Sequence, residues 1–89
     1  MLKHVNITIT GKVQGVGFRY SILDEAVFLG LKGFVKNIDK GVYAEAEGEE
    51  DQLKQLLKYC KAGPKGARVE AMTYEVGELK NFEDFKFEP

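Results

Sequence analysis

The apolar residues of this chain change period across a nine-residue join, and that change constrains the fold more than any other feature of the sequence. Before the join, Val5, Ile7 and Ile9 alternate with His4, Asn6 and Thr8, the period of two that marks a half-buried strand over residues 3–10. After it, Phe18, Ile22, Ala26 and Leu29 fall on one helical face, with Leu23 and Val27 widening that face until Gly30 ends the helix. The join itself reads Gly11-Lys12-Val13-Gln14-Gly15-Val16-Gly17-Phe18-Arg19. Its three glycines let the backbone bend into conformations that other residues rarely adopt.

A strand-to-helix join of this kind suits an anion. Successive N–H groups can point at one spot, and the helix adds its own unpaired N–H groups and the positive end of its dipole. Arg19 supplies a permanent charge and a planar donor fork matched to phosphate. A tight glycine turn beside a surface arginine accounts for the same residues. Sharper phosphate motifs are excluded: Tyr20 stands where a dinucleotide fingerprint needs its third glycine, and no Gly-Lys-Ser/Thr closes a Walker loop. The only cysteine, Cys60, is far from Arg19, so the loop offers an anchor without a thiol nucleophile.

Further along, a second strand is expected over residues 32–36, and Asn37-Ile38-Asp39-Lys40-Gly41 has the composition of a hairpin connection. Asn37 fits a turn residue, and its amide can also orient a water; spacing does not choose between the two. Val42, Ala44 and Ala46 then alternate with Tyr43, Glu45 and Glu47 as a third strand. Gly48-Glu49-Glu50-Asp51 leads into a second amphipathic helix carrying Leu53, Leu56, Leu57 and Cys60, with acids in its first turn and lysines in its last. The acidic run complements the helix dipole and lacks the ligand spacing of a calcium loop. Residues 62–66 break the helix, a fourth strand follows near residues 67–76, and Phe82, Phe85 and Phe87 are expected to close the core with a short final strand.

Strand, helix, strand, strand, helix, strand is the split βαβ order. It implies an α+β, ferredoxin-like sandwich: an antiparallel sheet, two helices on one face and a short extra C-terminal strand. The first and third strands are then central neighbours with the second beside the third. The loop after the first strand and the end of the second can therefore approach, which makes Arg19 and Asn37 partners across a site.

With 89 residues the chain is expected to form one domain, 1–89. A net charge of −1 with interspersed signs lacks the basic excess of a nucleic-acid or anionic-membrane binder, while a small anion remains admissible. No apolar run reaches transmembrane length, and the N-terminus begins a strand rather than a signal peptide, so a cytoplasmic protein is expected; the sequence leaves the oligomeric state open, with a monomer as the expectation. Cys60 keeps step with the leucines of its helix and reads as a small buried hydrophobe. His4 has no ligand partner at metal spacing and reads as solvated. Asp24 and Glu25, adjacent on a helix, point different ways and make a poor acid–base pair. Tyr20 and Ser21 are assigned to packing and capping.

Over essentially its whole length the chain resembles the acylphosphatase family. One family motif resembles Gly11-x-Val13-Gln14-Gly15-Val16-x-Phe18-Arg19; the other resembles Gly33-Phe34-Val35-Lys36-Asn37, three residues and Gly41, with a further glycine at Gly48. Two motifs in order are far more specific than a lone glycine pattern. The segment from Gly41 to Gly48 is one residue shorter than usual, so Val42 is expected to resume the inward pattern after a tighter connection.

The resemblance implies hydrolysis of the carboxyl–phosphate bond of acyl phosphates without metal or organic cofactor, on a small-molecule substrate. It implies catalytic roles for Arg19 and Asn37, with phosphate bound by Gln14, Gly15, Val16, Gly17, Phe18 and Arg19. Within that set Arg19 and the loop amides hold phosphoryl oxygens, Asn37 orients water, and Gln14 and Phe18 shape the loop. Three readings compete. A regulatory anion-binding module would keep Arg19 but have no use for Asn37. An RNA-binding split βαβ module would want stacked aromatics at Phe34 and Tyr43 and a positive surface. A domain of a larger carbamoyl-transfer maturation protein would be accompanied by zinc-type cysteine pairs or a second domain, and a free-standing enzyme is expected instead.

Overall fold

Alternation and helical period are both realised in the computed structural model, which describes residues 1–15 and 17–89. The elements are β1 (Leu2–Lys12), α1 (Phe18–Phe28), β2 (Lys32–Ile38), β3 (Gly41–Glu49), α2 (Glu50–Ala62), β4 (Arg68–Gly77) and β5 (Phe85–Phe87). The strands form one sheet in the order β4-β1-β3-β2-β5. Four of them are antiparallel to their neighbours, and β5 adds to the free side of β2 in parallel. The architecture is the ferredoxin-like α+β sandwich expected from the element order.

The core lies between the sheet and the two helices. Val5, Ile7 and Ile9 of β1 and Val42, Ala44 and Ala46 of β3 meet Phe18, Ile22 and Ala26 of α1 and Leu53, Leu56 and Cys60 of α2. Burial pushes the Cys60 thiol up to about 12, so it stays protonated and packs as a hydrophobe. Val27, expected to widen the buried face of α1, is instead 57% exposed: it lies about 100° around the helix from Ala26, outside the row 18, 22, 26 that meets the sheet. The turn between β2 and β3 narrows to Asp39 and Lys40, because Asn37 and Ile38 pair with Val42 and Gly41 as strand residues. Val42 is fully buried after this tighter connection.

The opposite face of the sheet departs from the sequence reading. His4, expected to be solvated, is only 1% exposed. The cause is topological: β4 and β5 occupy opposite edges, so residues 78–84 must cross a face of the sheet to join them. His4 Nδ1 lies 2.7 Å from Glu47 Oε2, and its Nε2 lies 2.8 Å from Asn6 Oδ1 and 3.2 Å from Glu45 Oε1. The crossing segment closes over them, with the backbone N–H groups of Lys80, Asn81 and Phe82 donating to the Glu47 carboxylate. Burial pushes the Glu47 carboxyl up, but the Lys80 amide, the His4 ring and the Phe82 amide outweigh it and leave the carboxyl below its ordinary value. Glu45 behaves alike: burial raises it, and hydrogen bonds from the Lys80 ammonium and the Tyr43 hydroxyl carry it below. Burial and the bond to Glu45 push the Tyr43 hydroxyl up to about 12.

Phe82 belongs to this cover, stacked against His4 and edge-on to Phe34, so of the three C-terminal phenylalanines only Phe85 enters the core. Phe34 and Tyr43 are half-buried and tilted against each other, not a flat exposed stacking platform. Among the described residues no helix is long and apolar enough to cross a membrane.

Candidate active site

Strand directions bring the candidate residues together. β1 and β2 are both antiparallel to β3, so they run the same way, and β5 runs with β2. The C-terminal ends of these three strands therefore lie at one end of the sheet. There the glycine loop leaves β1 and Asn37 approaches the end of β2.

Gly15 and Gly17 shape the loop through backbone conformation. Their φ values are 75° and 74°, a left-handed region costly for L side chains, yet a Cβ at either position would meet nothing within 4 Å. Glycine is required here by the torsion and not by crowding, which leaves the approach to the loop open. Gly17 is the N-cap of α1, and the first helical bond runs from the Ser21 N–H to the Gly17 carbonyl at 3.0 Å. The N–H groups of Phe18, Arg19 and Tyr20 thus have no partner within the helix. Among the described residues no side chain caps this terminus, and its first turn holds no acid, so no carboxylate offsets the positive end of the helix there. The Ser21 hydroxyl donates back to the Phe18 carbonyl at 2.8 Å, a local role.

Gln14, Gly15, Gly17, Phe18, Arg19 and Asn37 line one cavity of about 150 Å³, completed by Val13 and Tyr20. Each lining residue has a structural reason to be there. Phe18 is buried to 1% exposure and anchors the helix start in the core. The Gln14 amide donates to the carbonyls of Ile38 at 2.6 Å and Gly41 at 2.8 Å, which staples the loop to the β2–β3 hairpin. Asn37 continues the inward row of Gly33 and Val35, but unlike them it is exposed, because the row here runs past the core into the cavity. Val16, also expected in the phosphate-binding set, lies outside the described residues.

Arg19 is half-exposed, and its guanidinium carbon sits 5.5 Å from the centroid of the Phe87 ring. Among the described residues no carboxylate forms an ion pair with it, and no side-chain hydrogen bond engages the Asn37 amide. Tyr20 meets Phe87 edge-on, with ring centroids 4.8 Å apart. Phe87 is the neighbour that sequence reasoning misplaced. Expected to close the core with Phe82 and Phe85, it shares the inward parity of Phe85 but reaches the first turn of α1 and remains 36% exposed.

The chain matches the family model described as Acylphosphatase over residues 5–87. It is similar to an acylphosphatase of Caldanaerobacter subterraneus subsp. tengcongensis, 41% identical over 88 residues, which cover 97% of this chain and 98% of the relative. An acylphosphatase of Trichormus variabilis is 42% identical over 86 residues, covering 96% and 85%. Among solved structures, an acylphosphatase from Coxiella burnetii superposes with a TM-score of 0.94 at 34% identity, covering 98% of this chain and 93% of that one. Full-length HypF, in a phosphate- and nucleotide-bound form, superposes with a TM-score of 0.95 at 33% identity over all of this chain and 12% of its own.

Proposed function

Since this chain belongs to the acylphosphatase family and hydrolyses acyl phosphates, we propose that Arg19 and the free amides around the start of α1 hold the phosphoryl group while Asn37 orients the attacking water. The observation that carries this assignment is the single cavity lined by the glycine loop, Arg19 and Asn37. At about 150 Å³ the cavity has room for a phosphoryl group and an attacking water. Recognition centres on the phosphoryl end.

The chemistry asks little of the protein beyond position and charge. The leaving carboxylate has a conjugate acid of pKa about 4, so it departs at neutral pH without a strong general acid. Charge in the loose phosphoryl-transfer transition state spreads over the equatorial oxygens, where N–H donors and a guanidinium act on it directly. Water attacks phosphorus in line; the new P–O bond forms as the bridging P–O bond breaks, and the carboxylate leaves with the electron pair. The water's proton passes to a phosphoryl oxygen of the substrate, which gives inorganic phosphate. Asn37, fixed on a paired strand, aligns the water without having to ionise.

The test is benzoyl phosphate hydrolysis followed by ultraviolet absorbance with chelator present, for the parent protein beside Asn37→Ala. Turnover that collapses in the variant while inorganic phosphate still binds supports the assignment. Turnover in Asn37→Ala equal to the parent's overturns the water-orienting role.

A further inference from the structure

We propose that Phe87 is a positioning residue for Arg19, its ring face holding the guanidinium at the cavity so that β5 completes the phosphate anchor; this rests on the reading that Arg19 binds the phosphoryl group. The backbone of Arg19 is set by the first turn of α1, but its charged head sits at the end of a long flexible side chain. A carboxylate partner would hold that head at the cost of occupying its N–H donors and cancelling its charge. An aromatic face attracts the cation while leaving all of the in-plane donors available to phosphate. The 5.5 Å separation between the guanidinium carbon and the Phe87 centroid falls within that interaction.

The surroundings of Phe87 fit such a support. It pairs with Val35 in the parallel β2–β5 register, two positions before Asn37 on the same inward row. One pair of strands thus carries the residue facing the water and the residue facing the arginine. β5 is itself tied down, by the Gly33 N–H to Asp84 carbonyl bond at 2.8 Å and the Glu88 N–H to Val35 carbonyl bond at 3.0 Å. Tyr20 also packs on this ring, edge to face, with centroids 4.8 Å apart. Because Phe85 and not Phe87 enters the core, the Phe87 ring can be removed without opening a core cavity.

The experiment uses the full chain and two probes: inorganic phosphate binding by calorimetry and benzoyl phosphate kinetics. The variants are Phe87→Leu, Phe87→Tyr, Arg19→Ala and the double variant. Phe87→Leu is expected to weaken phosphate binding roughly three- to tenfold, raising KM more than it lowers kcat, with the melting temperature nearly unchanged. Phe87→Tyr retains parental affinity, and in the Arg19→Ala background Phe87→Leu has no further effect. Parental phosphate affinity in Phe87→Leu, a loss that Phe87→Tyr shares, or a loss that persists without Arg19 would each overturn the positioning role. Arg19→Ala separates this from its premise: if that variant binds phosphate normally, the reading of Arg19 is what fails.

Discussion

The side-chain amide of Gln14 donates to the main-chain carbonyl of Ile38 at 2.6 Å, one residue beyond Asn37, and also reaches the Gly41 carbonyl at 2.8 Å. One glutamine therefore ties the glycine loop to both sides of the β2–β3 turn. That staple spans the two segments which the site needs at a constant separation.

Gln14→Leu keeps the bulk but loses both bonds. At about 1 kcal/mol for each hydrogen bond, stability is expected to fall by roughly 1–2 kcal/mol. Turnover is expected to fall by up to about tenfold, because the loop and Asn37 are then less firmly held in register. Urea denaturation and benzoyl phosphate kinetics measure the two effects separately.

Arg19→Ala and Asn37→Ala are expected to divide the chemistry between them. Loss of the guanidinium removes charge-assisted bonds worth about 1.5–3 kcal/mol each, so inorganic phosphate should bind on the order of ten- to a hundredfold more weakly. Asn37→Ala should lower kcat by about a hundredfold or more and leave phosphate affinity within about twofold. Equal losses of phosphate affinity in both variants would refute the division.

Gly17, at φ 74° and ψ 18°, separates torsional cost from crowding, since a Cβ there meets nothing within 4 Å. Gly17→Ala is expected to cost about 1 kcal/mol, and Gly17→Asn less, because asparagine visits the left-handed region more readily. Melting curves of the two variants should rank them in that order; the reverse order would mean that the loop changes conformation when substituted.

Acid should loosen the cover on the far face of the sheet. Glu45 and Glu47 have folded-state values below the ordinary 4.5, so the unfolded chain binds protons more readily than the folded one as pH falls. Their stabilising contribution is complete above that ordinary value and is lost as pH drops through the lower folded values. Glu47→Gln is expected to destabilise the protein on the order of 2 kcal/mol at neutral pH, through weaker bonds from the backbone amides of Lys80, Asn81 and Phe82. Its stability should also depend less steeply on pH below about 4.5 than the parent's. Urea midpoints measured across acidic and neutral pH give both numbers.

Features carried by neighbours along the chain were legible before any fold was known. The period-two run of Val5, Ile7 and Ile9, the helical row of Phe18, Ile22 and Ala26, and the glycines at 15 and 17 announce strand, helix and loop, since these depend on torsions and spacings within a few residues. The two motifs extend that reading to Arg19 and Asn37 as candidates. What each face meets depends on contacts between segments distant in the chain. Asn37 is a strand residue at the cavity because pairing with Val42 leaves only Asp39 and Lys40 in the turn. Phe87 lies beside Arg19, not in the core, because β5 runs parallel to β2 and ends at the start of α1. His4 and Glu47 are buried because a segment more than thirty positions beyond Glu47 crosses between opposite edges of the sheet and covers them. Alternation along a strand sorts residues onto two faces, but whether a face meets water is set by whichever distant segment the topology lays across it.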